Sequence, residues 1–182
     1  MTTTDRPAVA IRFSAAEIAT RVDEMAAELA AKLPADTLVV SVLKGSFVFA
    51  ADLIRALSRA GANWSMDFLT LSSYGTATQS SGNVRIVRDI VDDVRGRDVL
   101  LVDDILESGL TLSFAKNLLK ERGAHRVWVC TLLDKPHKRR AELQADFTGF
   151  EAGDEFLVGY GLDWAHSFRG LPYIGVVEKP AA

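Results

Sequence analysis

At 182 residues, 48% hydrophobic and 25% charged, the chain is long enough for one folded domain with a real core. Its 21 basic and 24 acidic residues leave a net charge of −3, so no overall field draws it to nucleic acid or an anionic membrane. No apolar run reaches the ~18 residues that a bilayer requires.

The opening MTTTDRPAVA lacks the basic start and apolar core of a secretory signal. A single cysteine, Cys130, excludes an internal disulfide and fits a reducing, cytoplasmic setting. Ser14-Ala-Ala-Glu17 has the pattern of a capping box. Ile18, Val22, Met25, Leu29 and Leu33 then mark one face of a helix ending near Pro34. TLVVSVL (37–43) is a continuous apolar run, the mark of a strand covered on both faces. A helix over about 47–60 follows, closed by Gly61. WSMDFLTLSS (64–73) alternates like a strand, YGTATQSSGN (74–83) is polar, and VRIVRDI (84–90) resumes as a strand. The polar stretch therefore joins the two strands of an extended hairpin.

DVLLVDD (98–104) is a second doubly buried strand, leading into a helix to about 122 with Gly123 as its stop. RVWVCTLL (126–133) is the next strand, and Cys130 within it has no activating His or basic neighbour, so it reads as buried filler. Strand, helix and strand in this rhythm predict parallel βαβ units. Beyond them the chain shortens into ADFTGF, EFLVGYG and YIGVVE, pieces suited to a hood over one end of the sheet, about 145–175. The expected fold class is α/β, a single domain over 1–182 with a mostly parallel twisted sheet flanked by helices.

In open parallel sheets, ligands sit outside the carboxyl ends of the strands. Residues 103–111 hold that position. The N–H groups of Ser108, Gly109, Leu110 and Thr111 at a helix start offer a phosphate site, and Gly109 lets the backbone curl close to the anion. Asp103, Asp104 and Glu107 would repel phosphate, so they must face hydroxyls, a metal ion or a developing cation. A sugar phosphate carrying Mg²⁺ supplies all three. The plain alternative is that the two aspartates merely end a strand and precede a cap.

VLLVDDILESGLT resembles the phosphoribosyl-pyrophosphate (PRPP) motif of the type I phosphoribosyltransferases: an apolar strand, two acids, two apolar residues and a small-residue turn ending in Thr. SVLKGSFVFAADL, SSYG, LLDKP and FLVGYGLDWAHSFRGLPYIGVV resemble, in the right order, the hypoxanthine-guanine branch of that family. The resemblance implies the type I phosphoribosyltransferase fold with a small hood and a hairpin lid. It implies Mg²⁺-dependent transfer of phosphoribosyl from PRPP to a 6-oxopurine, hypoxanthine and guanine, with pyrophosphate released. It implies that Asp103 and Asp104 hold the ribose hydroxyls and their Mg²⁺, and that 107–111 take the 5′-phosphate. Glu107 falls where the family places its general base, facing N7 of the purine, although the usual residue is Asp; the extra methylene changes reach by ~1.5 Å.

By the same resemblance, Lys44 and Gly45 hold pyrophosphate through an unusual cis peptide, with Arg169 as a further pyrophosphate contact. Lys135 reads the 6-oxo group, since a cation favours a base whose carbonyl accepts over adenine, whose amino group donates. Phe156 stacks on the purine, Leu157 offers it backbone groups, and Asp163 lies at the base as a second metal contact. Ser73 and Tyr74 lead the lid, about 74–83, which excludes water from an oxocarbenium-like centre. A homodimer or homotetramer is implied as well.

Two other patterns fail. Gly159-Tyr-Gly161 begins like a dinucleotide fingerprint, but Trp164 holds the third glycine position. LLVDD resembles the acidic pair of a phosphorelay receiver, which would need over a hundred residues after it. His125, His137 and His166 lack metal-ligand spacing. A PRPP-sensing regulator that binds RNA or protein remains as the rival of another class, opposed by Glu107 and the negative charge. A transferase for xanthine or guanine alone remains within the enzyme class.

Overall fold

The computed structural model describes residues 7–73 and 84–177. The stretch 74–83, including Tyr74 and the expected lid, lies outside the described residues. The capping box forms as written: the Ser14 hydroxyl accepts from Glu17 N–H, and the Glu17 carboxylate accepts from Ser14 N–H at 2.8 Å. It starts helix α1, Ala15–Lys32, whose inward stripe of Ile18, Val22, Met25 and Leu29 is buried.

Helix α2 (Phe47–Arg59) and α1 cover one face of a six-stranded sheet. Helix α3 (Leu110–Glu121) covers the other. In chain order the sheet strands are β2 (Leu38–Leu43), β3 (Ser65–Ser73), β4 (Val84–Arg88), β5 (Asp98–Leu106), β6 (Arg126–Asp134) and β7 (Phe147–Glu151). Their spatial order is β4-β3-β2-β5-β6-β7, parallel except for β4. The continuous apolar runs are explained by this double cover. Val39, Leu100 and Cys130 join the α1/α2 core, while Leu38, Val40, Leu101 and Val129 join the α3 core. Burial pushes the Cys130 thiol up, so it is a filler and not a nucleophile.

The chain runs from β2 through α2 to β3 on one side of the sheet, and from β5 through α3 to β6 on the other. The switch of direction therefore falls between β2 and β5, and loops leaving their carboxyl ends splay apart to leave a crevice. Lys44-Gly45 ends β2, and the acidic stretch ends β5.

The hood departs from expectation in one respect. ADFTGF belongs to the main sheet, where β7 pairs parallel with β6. Gly149 is what permits this: a Cβ there would sit 2.5 Å from the Leu132 carbonyl. Arg21 of α1 then donates to the Gly149 and Thr148 carbonyls at 2.9 and 2.8 Å, covering the exposed edge. The hood proper is a three-stranded antiparallel sheet of β1 (Val9–Phe13), β9 (Ile174–Val177) and β8 (Leu157–Val158).

Ser14→Ala removes an acceptor that N–H groups of α1 cannot replace. It should cost about 1 kcal/mol and lower the thermal midpoint by roughly 2–4 °C in a chain of this size, read by scanning calorimetry. No shift would mean that packing against α2 holds the first turn without its cap.

Candidate active site

A cleft of about 360 Å³ opens at the switch point. The ends of β2 and β5 contribute Lys44, Gly45, Asp104 and Glu107; the turn after β6 contributes Lys135; the hood contributes Phe156, Leu157, Asp163 and Arg169. A second cavity of about 220 Å³ adjoins it, lined by Asp103, Asp104, Glu107, Ser108, Gly109 and Thr111. Apart from Ser73 and Leu110, the expected site residues that the structure describes line one or other of these two cavities. Ser73 closes β3 opposite Val84. Leu110 opens α3 behind the loop, with Gly109 before it at φ +77°, a conformation that suits glycine. First-turn N–H groups of an α-helix have no acceptor within the helix, so this turn offers donors to an anion. Ser108 Oγ lies beside them and accepts from Leu110 N–H at 3.4 Å.

Asp103 is 9% exposed, and its Oδ1 accepts from Asp104 N–H at 2.9 Å. Asp104 Oδ1 accepts from Ile105 N–H at 2.9 Å. Burial pushes Asp103 well above the carboxylate range, and the neighbouring Asp104 charge adds to the rise. Burial also raises Asp104, against hydrogen bonds that favour its charged form. Two adjacent acids, Asp103 buried and Asp104 half-buried, are the environment that a divalent cation and ribose hydroxyls would relieve. Among the described residues no three His, Cys, Asp or Glu side chains cluster as a metal cage. Mg²⁺ commonly takes one or two carboxylates together with water and substrate phosphates, so the pair fits a cation that arrives with its substrate.

A non-proline cis peptide joins Leu43 to Lys44, at the start of the Lys44-Gly45 pair. Gly45 has a steric reason to be glycine: a Cβ would fall 1.8 Å from Asp104 Oδ2. Gly161, at φ +101°, has a similar one, with a Cβ 2.1 Å from the Gly45 carbonyl.

Lys135 is nearly enclosed, its side chain 3% exposed, and its Nζ donates to Glu107 Oε1 at 2.9 Å and to the Glu155 carbonyl at 2.8 Å. The side chain assigned to base recognition and the carboxylate assigned to proton transfer are therefore bonded to each other. The Glu107 side chain is 44% exposed, with Lys138 Nζ at 3.9 Å from the same oxygen. Phe156 is 48% exposed and stands free at the cleft rim, which suits stacking and not core packing. In the hood ladder Val177 N–H donates to the Phe156 carbonyl, so the next pair, Leu157 with Val176, is a non-hydrogen-bonded one. Because β8 is a sheet edge, the Leu157 N–H and C=O point away from β9 and are presented to a ligand. Asp163 is tied to Arg169 at 2.6 Å and accepts from His166 N–H at 2.9 Å, while Arg169 also donates to the Gly161 carbonyl at 2.6 Å.

Several positioning groups carried no signal in the sequence. Arg139 donates to the Glu107 carbonyl at 2.6 Å and to Asp134, and the N–H groups of Arg140 and Ala141 donate to the Ser108 carbonyl at 2.9 and 3.0 Å. The segment after β6 thus clamps the acidic loop from behind. Tyr160, at φ +49°, donates to Asp52 Oδ2 at 2.5 Å and anchors the hood turn on α2. The nearest sequence signal was the basic run Lys138-Arg139-Arg140, which says nothing about its partners.

A family model described as a phosphoribosyl transferase domain matches residues 14–164. The hypoxanthine-guanine phosphoribosyltransferase of Bacillus subtilis (strain 168) is 48% identical over 173 residues, covering 94% of this chain and 93% of its own. The hypoxanthine phosphoribosyltransferase of Escherichia coli (strain K12) is 41% identical over 172 residues, covering 93% and 95%. A crystal structure of a hypoxanthine-guanine phosphoribosyltransferase from Bacillus anthracis superposes with a TM-score of 0.86 at 40% identity, covering 92% of this chain and 98% of that one. With an acid pair and an N–H-rich turn at the switch point of its sheet, the chain belongs to the phosphoribosyltransferase family. Within it, the relatives place the chain in the hypoxanthine-guanine branch, whose work is purine salvage.

The raised Asp103 pKa has a stability consequence. The folded chain holds that proton more tightly than the unfolded chain, so folding takes up a proton at pH values between the two pKa values. Stability therefore falls as pH rises through that window, and the loss is complete above the folded-state pKa. In metal-free buffer Asp103→Asn should raise the thermal midpoint at pH 7, with the gain shrinking toward pH 4. A variant that is less stable at pH 7 would show that the charged pair is already compensated.

Proposed function

We propose that this site transfers the phosphoribosyl group of PRPP to hypoxanthine, and to guanine, giving IMP or GMP and pyrophosphate. The observation that carries the reading is a buried ammonium, Lys135, 2.9 Å from the Glu107 carboxylate in the cleft that Asp104 and Arg169 also line. A purine seated there would meet a cationic donor for its 6-oxo oxygen, an exposed ring at Phe156 and backbone groups at Leu157. The 5′-phosphate would lie on the N–H groups at 108–111, and Lys44, Gly45 and Arg169 would hold the pyrophosphate.

Bond cleavage at the ribose builds positive charge on the ring, and carboxylates fixed beside it stabilise that charge without reorganising. Asp103 and Asp104 orient the ribose hydroxyls against the loop, and Glu107 accepts the proton that the purine loses. Asp103 and Asp104, with Asp163 as a second contact, would hold Mg²⁺, which would supply charge neutralisation for the leaving pyrophosphate. Assembly as a homodimer or homotetramer and a cytoplasmic location belong to the same proposal. Among the described residues no helix is long and apolar enough to cross a membrane.

PRPP with Mg²⁺ and each of hypoxanthine, guanine, xanthine and adenine tests the reading: turnover is expected with the first two and not with adenine, and should vanish with EDTA. Glu107→Gln should lower kcat by about 10²–10⁴, the range of acid–base assistance, with KM for PRPP little changed; a variant that keeps its kcat sinks the role. Lys135→Ala should raise KM for hypoxanthine far more than KM for PRPP, because the base alone loses a charged donor. Equal rises would point to a folding defect.

A further inference from the structure

The Glu107–Lys135 pair sets two of the proposed substrate contacts against each other. Lys135 cannot withdraw: its backbone N–H donates to the Leu106 carbonyl at 2.9 Å, and its Nζ is held by the Glu155 carbonyl. The Glu107 backbone is held as well, by Arg139 on its carbonyl. The Glu107 side chain, 44% exposed, is the part with room to move. A shorter aspartate on the same backbone would fall about 1.5 Å short of Lys135, beyond hydrogen-bonding distance. The pair is thus a consequence of glutamate at this position.

We propose that the pair is a substrate-released latch that adds to base selectivity, an inference that rests on the reading of Lys135 and Glu107 given above. In the free enzyme the Glu107 carboxylate and the Glu155 carbonyl take two of the three ammonium hydrogens, and of these two acceptors only Glu107 lines the cleft that a base would enter. A 6-oxo oxygen competes for that donor, and its arrival frees Glu107 to swing toward the ring N–H whose proton it accepts. A 6-amino group offers Lys135 hydrogens and no suitable acceptor, so the carboxylate stays where it is. Selection of the base then acts twice, on binding and on delivery of the catalytic carboxylate.

The latch makes a prediction of opposite sign to a simple contact. If Glu107 only received the purine N–H, Glu107→Ala would weaken hypoxanthine binding. With the latch, removing the carboxylate frees Lys135, and calorimetric titration of hypoxanthine in the presence of pyrophosphate and Mg²⁺ should show affinity tighter by about 5- to 10-fold. Glu107→Asp, too short to reach Lys135, should tighten it too, and adenine should show no gain. In a Lys135→Ala background, Glu107→Ala should no longer tighten binding, with circular dichroism confirming that each variant is folded. Unchanged or weaker hypoxanthine binding in both single Glu107 variants, or equal tightening for adenine, overturns the latch. Failure of the general-base reading is seen separately, as a Glu107→Ala variant whose kcat is retained.

Discussion

Three stretches of backbone converge on one carboxylate, and glycine is what lets them. A Cβ on Gly45 would meet Asp104 Oδ2 at 1.8 Å, and a Cβ on Gly161 would meet the Gly45 carbonyl at 2.1 Å. The end of β2, the end of β5 and the hood therefore stack in van der Waals contact around Asp104, and the cleft is the space left beside that stack. Any side chain at either glycine would push the Lys44-Gly45 loop away from the acids or lift the hood from the sheet. Arg169 then reaches the Gly161 carbonyl and Asp163 from the far side of the same stack.

That convergence places charge where folding disfavours it. Burial raises both members of the Asp103–Asp104 pair, which makes the strand end a cost to the fold. The cost is tolerated because β2 and β5 are covered on both faces by apolar side chains, among them Met25, Phe49 and Leu53 on one side and Leu112 and Leu119 on the other, so the strand that carries the acids cannot easily shift. On the proposed function, a site that stabilises a developing cation must hold negative charge before the cation exists, and the cost of the acid pair is the counterpart of that preorganisation.

Lys135 links the sheet to the hood. Its ammonium touches Glu107 on the β5 loop and the Glu155 carbonyl just before β8, while the Glu155 side chain pairs with Arg12 of β1 at 3.3 Å. The β5 loop, the turn after β6 and the hood are thus tied together through one cation.

The sequence determined a good deal of this protein. Continuous apolar runs, a capping box and helix-stop glycines placed the helices and the strands of the main sheet up to β6, because those signals depend on near neighbours in the chain. The acid pair, Glu107 and the loop glycine were legible for the same reason. ADFTGF was not, since its place beside β6 depends on Gly149 approaching the Leu132 carbonyl and on Arg21 covering the edge from α1. The clamp from Arg139 and the pairing of Glu107 with Lys135 were decided by the tertiary structure. Each joins residues from separate elements, and no local pattern encodes which distant partner a charged side chain will find.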